Sequence, residues 1–128
     1  MQICLRLLIV AWLAIGSAFG FSFGNDAAST DKRAAPTVDR IFVANLPSEA
    51  RHTLALIKAG GPFPYERDGI VFGNFEKRLP LHPRGYYREY TVKTPWRRDR
   101  GPRRIIASRD NHYYYTDDHY RSFRQIVE

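Results

Sequence analysis

The chain has 128 residues, 20 Lys and Arg against 13 Asp and Glu for a formal net charge of +7, and a single cysteine. Its length excludes a large multidomain enzyme, and a lone cysteine excludes an internal disulfide. The charge points to an anionic partner, with nucleic acid, anionic lipid and cell-wall polymer all open.

The first stretch stands apart from the rest. Arg6 gives a small positive region, Leu7 to Ile15 is an almost unbroken apolar run, and Ser17, Ala18 and Gly20 supply small residues at a cleavage point. Residues 1–20 read as a secretory signal rather than a membrane anchor, because the run is shorter than the ~20 residues that cross a bilayer. The product is therefore expected outside the cell. Cys4 lies inside this segment, so the remainder is expected to be held by packing alone. Residues 21–36, rich in Gly, Ala, Ser, Asp and Thr without periodicity, read as a flexible leader or pro-segment. Residues 37–128 leave 92 positions for one small domain, and losing the signal removes only Arg6, so the net charge becomes +6.

Within that domain, Ile41 to Val43 form a short apolar stretch suited to an edge strand. Pro47 and Ser48 then open a helix in which Ala50, Thr53, Leu54 and Ile57 recur at helical spacing, and Gly60 and Gly61 stop it. His52 lies off that stripe, where a histidine is usually only solvated. GPFPYERDG is an ordered loop, and Ile70 to Phe72 is a short strand running into Gly73, Asn74, Phe75 and Glu76. Gly73 and Asn74 tolerate positive φ, so this segment can turn backbone N–H groups outward beside a carboxylate, or be a plain turn. A proline-containing connection leads to the strand around GYYREYTV, a loop loaded with arginine, and a strand from Arg103 to Ser108. HYYYT makes a third strand, and Tyr120, Phe123 and Ile126 pack a last one. The order predicts an α+β fold: one N-terminal amphipathic helix packed on a small antiparallel β-sheet, with the other sheet face open.

In strand geometry Glu89 shares a face with Tyr87 and Thr91. Arg104 from the next strand, Arg100 from the loop and His119 from the last turn can join it. These residues supply a base, an acid and cations, the set needed to cut RNA without metal through attack by the ribose 2′-OH. An isolated Glu and Arg pair is more commonly structural. The histidines, at 52, 82, 112 and 119, lack the spacing of metal ligands, and no phosphate-binding P-loop or serine-nucleophile motif occurs.

Four ordered segments carry a resemblance: LPSEARHTLALIKAGGPFPYERDGIVFGNFEKRLP, GYYREYTVKTP, RGPRRII and YYTDDHY. From about Val43 to Val127 the chain resembles the guanyl-specific extracellular bacterial ribonucleases, the family that includes barnase, and most of all its short members. The resemblance implies the microbial ribonuclease fold and a secreted, metal-independent endoribonuclease without cofactor. It would cut single-stranded RNA through a 2′,3′-cyclic phosphate that water then opens to a 3′-phosphate. Glu89 matches the general base, His119 the general acid, Arg100 and Arg104 the phosphate-stabilising arginines, and Tyr120 the aromatic beside the acid. Phe72, Gly73, Asn74, Phe75 and Glu76 match the guanine loop, in which Glu76 accepts from the donor edge that adenine lacks; Tyr87 and Tyr65 are candidates to line the nucleotide site.

Two departures stand out: Phe75 replaces the arginine usual in that loop, and Phe42 takes the place of a cysteine found in disulfide-bearing members. The implied partners are RNA and an acidic, barstar-like intracellular inhibitor, with no membrane, for a monomer. The alternative is a non-catalytic basic RNA-binding or cell-surface module on the same fold. The remaining tyrosines, and Arg97 and Arg98, are read as packing residues and as solvated or general phosphate contacts.

Overall fold

The computed structural model describes residues 35–128; the expected signal and all but the end of the leader lie outside them. The first strand, β1, is Asp39–Phe42, followed by a 3-10 turn at Val43–Asn45 and the helix α1 at Ser48–Ala59. Pro47 precedes the helix in extended geometry, and its carbonyl accepts the first bond, from Arg51 N–H at 3.0 Å. Gly60, at φ +82°, ends it: Gly61 N–H donates back to the Leu56 carbonyl at 2.9 Å, a left-handed close that a side chain would strain. Glu49 in the first turn and Lys58 in the last complement the helix dipole.

The other strands are β2 (Ile70–Val71), β3 (Tyr87–Thr91), β4 (Arg104–Ser108), β5 (Tyr113–Thr116) and β6 (Arg124–Val127). They form one six-stranded sheet in the order β1-β6-β5-β4-β3-β2. The fold is α+β as expected, but the sheet is mixed: β1 runs parallel to β6, with Ile41 beside Ile126. A parallel pair needs a long crossover, and here the rest of the domain is that crossover. Local pattern marks β1 as a strand and cannot name a partner some 85 residues away.

Alternation sorts the side chains of β3, β4 and β5 onto two faces. Ile105 and Tyr115 join Ala50 and Leu54 of α1 with Ile41, Leu46, Val92 and Ile126 in the main core. Each large aliphatic side chain withdrawn from water there contributes roughly 1.5–3 kcal/mol. The opposite face is not open along its whole length, as the sequence suggests. One end carries a second core of Leu79, Tyr87, Ile106, Tyr114 and Phe123. The loop after β2 folds over it because Tyr87 donates its hydroxyl to the Pro80 carbonyl at 2.6 Å, while Asn74 exchanges side-chain bonds with the Leu79 carbonyl (2.9 Å) and N–H (3.1 Å). The remaining part of that face is polar, and the candidate site lies there.

Candidate active site

Register brings the site together. Glu89 pairs with Ile106 and Thr91 with Arg104, so Glu89, Thr91, Arg104 and Thr116 share one face. Glu89 is only 6% exposed, a costly place for a carboxylate unless donors meet it. The Tyr120 hydroxyl donates to its Oε2 at 2.7 Å, and an Arg100 guanidinium nitrogen stands 3.7 Å from Oε1. Arg100 is steered there by Thr91, whose hydroxyl accepts from Nε and Nη2 at 3.1 and 2.7 Å. Arg104, 3% exposed, donates from Nη1 to the Gly101 and Arg103 carbonyls, both at 2.7 Å, and its guanidinium lies 5.8 Å over the Tyr120 ring. Its Nε finds no acceptor among the described residues.

His119 arrives on the turn between β5 and β6, which is built around Asp118. Its carboxylate accepts from the Thr116 hydroxyl at 2.9 Å, from Ser122 N–H at 2.9 Å and from the Ser122 hydroxyl. Partial burial pushes this carboxyl up, but the bonds from Ser122, Thr116 and the Arg121 backbone outweigh burial and hold it below the ordinary range. The turn sets His119 at φ 57° and Tyr120 at φ 69°, two successive left-handed residues that are not glycine. Such conformations cost about 1–3 kcal/mol each and persist only where surroundings fix them. The fixing is visible: Tyr120 N–H donates to the Thr116 hydroxyl at 3.1 Å, and His119 N–H to the Pro102 carbonyl at 3.1 Å. The exposed imidazole is thereby tied to the loop that carries Arg100. Burial pushes the Tyr120 phenol up, and its bond to Glu89 pushes it further, so it remains a donor toward the carboxylate.

These groups open onto a cavity of about 440 Å³ lined by Glu89, Arg100, His119, Tyr120 and the whole segment Phe72 to Glu76. Phe72 stacks on Tyr120 at 5.4 Å and meets Phe123 edge-on, so the loop and the turn that carries His119 share aromatic support. Asn74, at φ 48°, makes the turn, while the Phe75 ring lies so close over Gly73 that a Cβ there would sit 2.5 Å from it. Phe75 itself is 84% exposed. The Glu76 carboxylate accepts from Arg78 Nε at 2.7 Å.

Most residues singled out in the sequence are brought together here, and two are not. Tyr87 is buried in the second core with its hydroxyl committed to Pro80, because the loop after β2 folds over that end of the face. Tyr65 faces a different cleft, beside Glu49, His52 and Lys93. Missed by the sequence reading were Thr91, Asp118, Thr116 and Arg78, which orient the others. The Thr-Asp-Asp run before His119 was the available signal, since such residues bond to their own turns. Among the described residues no cluster of three or more His, Cys, Asp or Glu would hold a metal ion, and no helix is long and apolar enough to cross a membrane.

A family model described as ribonuclease matches residues 29–127. The guanyl-specific ribonuclease Sa3 of Kitasatospora aureofaciens is 54% identical over 90 residues, covering 70% of this chain and 64%, just under two thirds, of its own length. The guanyl-specific ribonuclease St of Saccharopolyspora erythraea is 52% identical over 89 residues, covering 70% of this chain and 88% of its own. A crystal structure of ribonuclease Sa2 with guanosine-2'-cyclophosphate superposes with a TM-score of 0.68 at 46% identity, over 71% of this chain and 97% of that one.

Proposed function

The chain belongs to the ribonuclease family, and on that premise we propose that it is an exported, metal-independent endoribonuclease that cuts single-stranded RNA after guanosine. One observation carries the reading: a buried carboxylate, Glu89, held by the Tyr120 hydroxyl and facing Arg100, on the wall of a cavity that also exposes His119. It supplies a base and an acid on one cavity, with the Arg100 guanidinium in the same lining.

In the first step Glu89 takes the proton of the ribose 2′-OH as that oxygen attacks phosphorus. The P–O2′ bond forms, the P–O5′ bond breaks, and His119 gives its proton to the departing O5′, leaving a 2′,3′-cyclic phosphate. In the second step His119 takes a proton from water, the new P–O bond forms, the P–O2′ bond breaks, and Glu89 returns its proton to O2′. Arg100 and Arg104 meet the charge that builds on the phosphoryl oxygens, in a setting where fixed donors act more strongly than in water.

Base choice falls to the segment Phe72 to Glu76. Its backbone N–H groups meet the acceptor edge of guanine, and Glu76 accepts from the N1–H and N2–H donors. Arg78 occupies one of about four lone-pair sites on that carboxylate, which leaves room for both. Adenine, without those two donors, would leave Glu76 with only its bond from Arg78. Phe72 and Phe75 supply apolar ring faces on the same wall.

The test begins with the whole gene product. Protein recovered from the culture medium is sequenced at its N-terminus and incubated in EDTA with a defined RNA oligonucleotide, beside Glu89→Gln and His119→Ala. The expected result is an N-terminus beyond Gly20, cyclic phosphate ends after G by mass, and a loss of roughly 10²–10⁴-fold in each variant. Loss of cutting on chelation would overturn metal independence, and cutting after A as readily as after G would overturn the specificity. RNA retarded in a gel and left intact would move the reading to a basic RNA-binding module.

A further inference from the structure

The loop between β3 and β4 carries an aromatic side chain that the catalytic reading leaves unused. Trp96 is 74% exposed, and the Arg103 guanidinium lies 4.9 Å from its ring centroid. An indole left in water with a cation fixed over it matches what proteins use to stack an unpaired base, since the ring supplies a π-face and the guanidinium the charge.

The surroundings select the occupant. Between Lys93 and Arg104 the chain has six cations and one acid, Asp99. Asp99 is consumed within the loop: it accepts from Arg97 Nε and Nη2, both at 2.8 Å, and from Gly101 N–H at 3.0 Å. Arg98 has no carboxylate within ion-pair distance among the described residues and is exposed. The loop is therefore a shaped, net positive surface with one aromatic platform, complementary to a flexible polyanion that carries bases.

Position gives the direction of the strand. Beside the catalytic cavity lies a second cleft of about 410 Å³, lined by Arg97, Asp99, Arg100, Gly101, Pro102 and His119. Arg100 and His119 are common to both, so His119 stands on the wall between them. The group that protonates the departing O5′ must face the leaving nucleoside. The cleft on its far side is then where the chain 3′ to the cut bond continues, along a lining that includes Arg97, the chain neighbour of Trp96.

Resting on the proposed ribonuclease reading, we propose that the β3–β4 loop is a downstream RNA subsite. Phosphates 3′ to the cut bond lie along Arg97 and Arg98, and a downstream base stacks on Trp96. The consequence is a preference for substrates extended on the 3′ side over a dinucleoside phosphate and over substrates extended on the 5′ side.

The test compares kcat/KM on GpU, on GpU extended by three nucleotides 3′, and on GpU extended equally 5′, for wild type, Trp96→Ala and Trp96→Phe. In wild type the 3′-extended substrate should be favoured. In Trp96→Ala the ratio of its kcat/KM to that of GpU should fall by about 5- to 100-fold, the worth of one stacked base, with Trp96→Phe restoring much of it. An unchanged ratio, or an equal loss on all three substrates, overturns the subsite. Binding keeps the question separate from catalysis: an oligonucleotide with 2′-deoxyguanosine at the cutting position should quench a fluorescence component absent from Trp96→Phe. Arg98→Ala should lower the slope of log affinity against log salt by about 0.7. If no RNA is cut at all, the ribonuclease reading falls, while quenching still supports RNA on this loop and its absence overturns it.

Discussion

Tyr120 joins the two halves of the site. Its ring stacks on Phe72 of the loop proposed to recognise the base, and its hydroxyl holds Glu89. Tyr120→Phe keeps the first contact and deletes the second, so kcat/KM on GpU should drop by about 10- to 100-fold, the range of a hydrogen bond to a charged group. Burial and the bond to Glu89 both push the phenol up, so its ionisation does not set the alkaline limb of the pH profile. That limb should keep its position in the variant when initial rates are followed from pH 4 to 9. At this scale the sequence was readable to the extent that it specified chemistry. Glu89, Arg100 and His119 are legible as chemistry-bearing residues and line one cavity, while Arg104 lies on the same sheet face over the Tyr120 ring, outside that lining. Tyr87 was misplaced because alternation assigns a face without saying where along that face the core ends. A single residue, Arg88, separates a buried packing tyrosine from the carboxylate.

Among the elements, the turn from Thr116 to Phe123 is the one on which the proposed mechanism depends most. Asp118 gathers bonds from Thr116 and Ser122 and thereby imposes the left-handed conformations of His119 and Tyr120. Because its folded value is depressed, its contribution to stability is complete above the unfolded value of about 3.9 and is lost as pH falls through the folded one. Asp118→Asn should unfold at lower urea concentration than wild type near pH 6, by an amount like that of a lost helix cap, about 0.5–2 kcal/mol. The two midpoints should converge as the pH falls through the depressed folded value of Asp118. Cleavage should suffer more than stability does, since a freed turn no longer points the imidazole. Most elements were legible from period and punctuation: α1 from its apolar stripe and closing glycines, and β3 to β6 from alternation between turns. The parallel pairing of β1 with β6 was not, because its partner lies at the other end of the domain. Nor was the second core, which depends on a loop folding back through Asn74 and Tyr87.

For the whole molecule, folding concentrates positive charge. It takes Arg104 out of water, leaves its Nε without an acceptor among the described residues, and sets it in register with Thr91, the residue that holds the Arg100 guanidinium, in a strongly basic chain. The unfolded chain keeps these charges apart and hydrated. An anion that binds only the folded form offsets the difference, and a ligand at a hundred times its dissociation constant adds about 2.7 kcal/mol. The thermal midpoint should therefore climb in phosphate above its value in chloride of equal ionic strength, and climb further with guanosine 3′-monophosphate. Equal midpoints in all three would show that the buried guanidinium does not carry this linkage. Heat resistance then follows the solvent as much as the sequence: the protein is hardiest when clogged with its own product and most fragile when it is free to work.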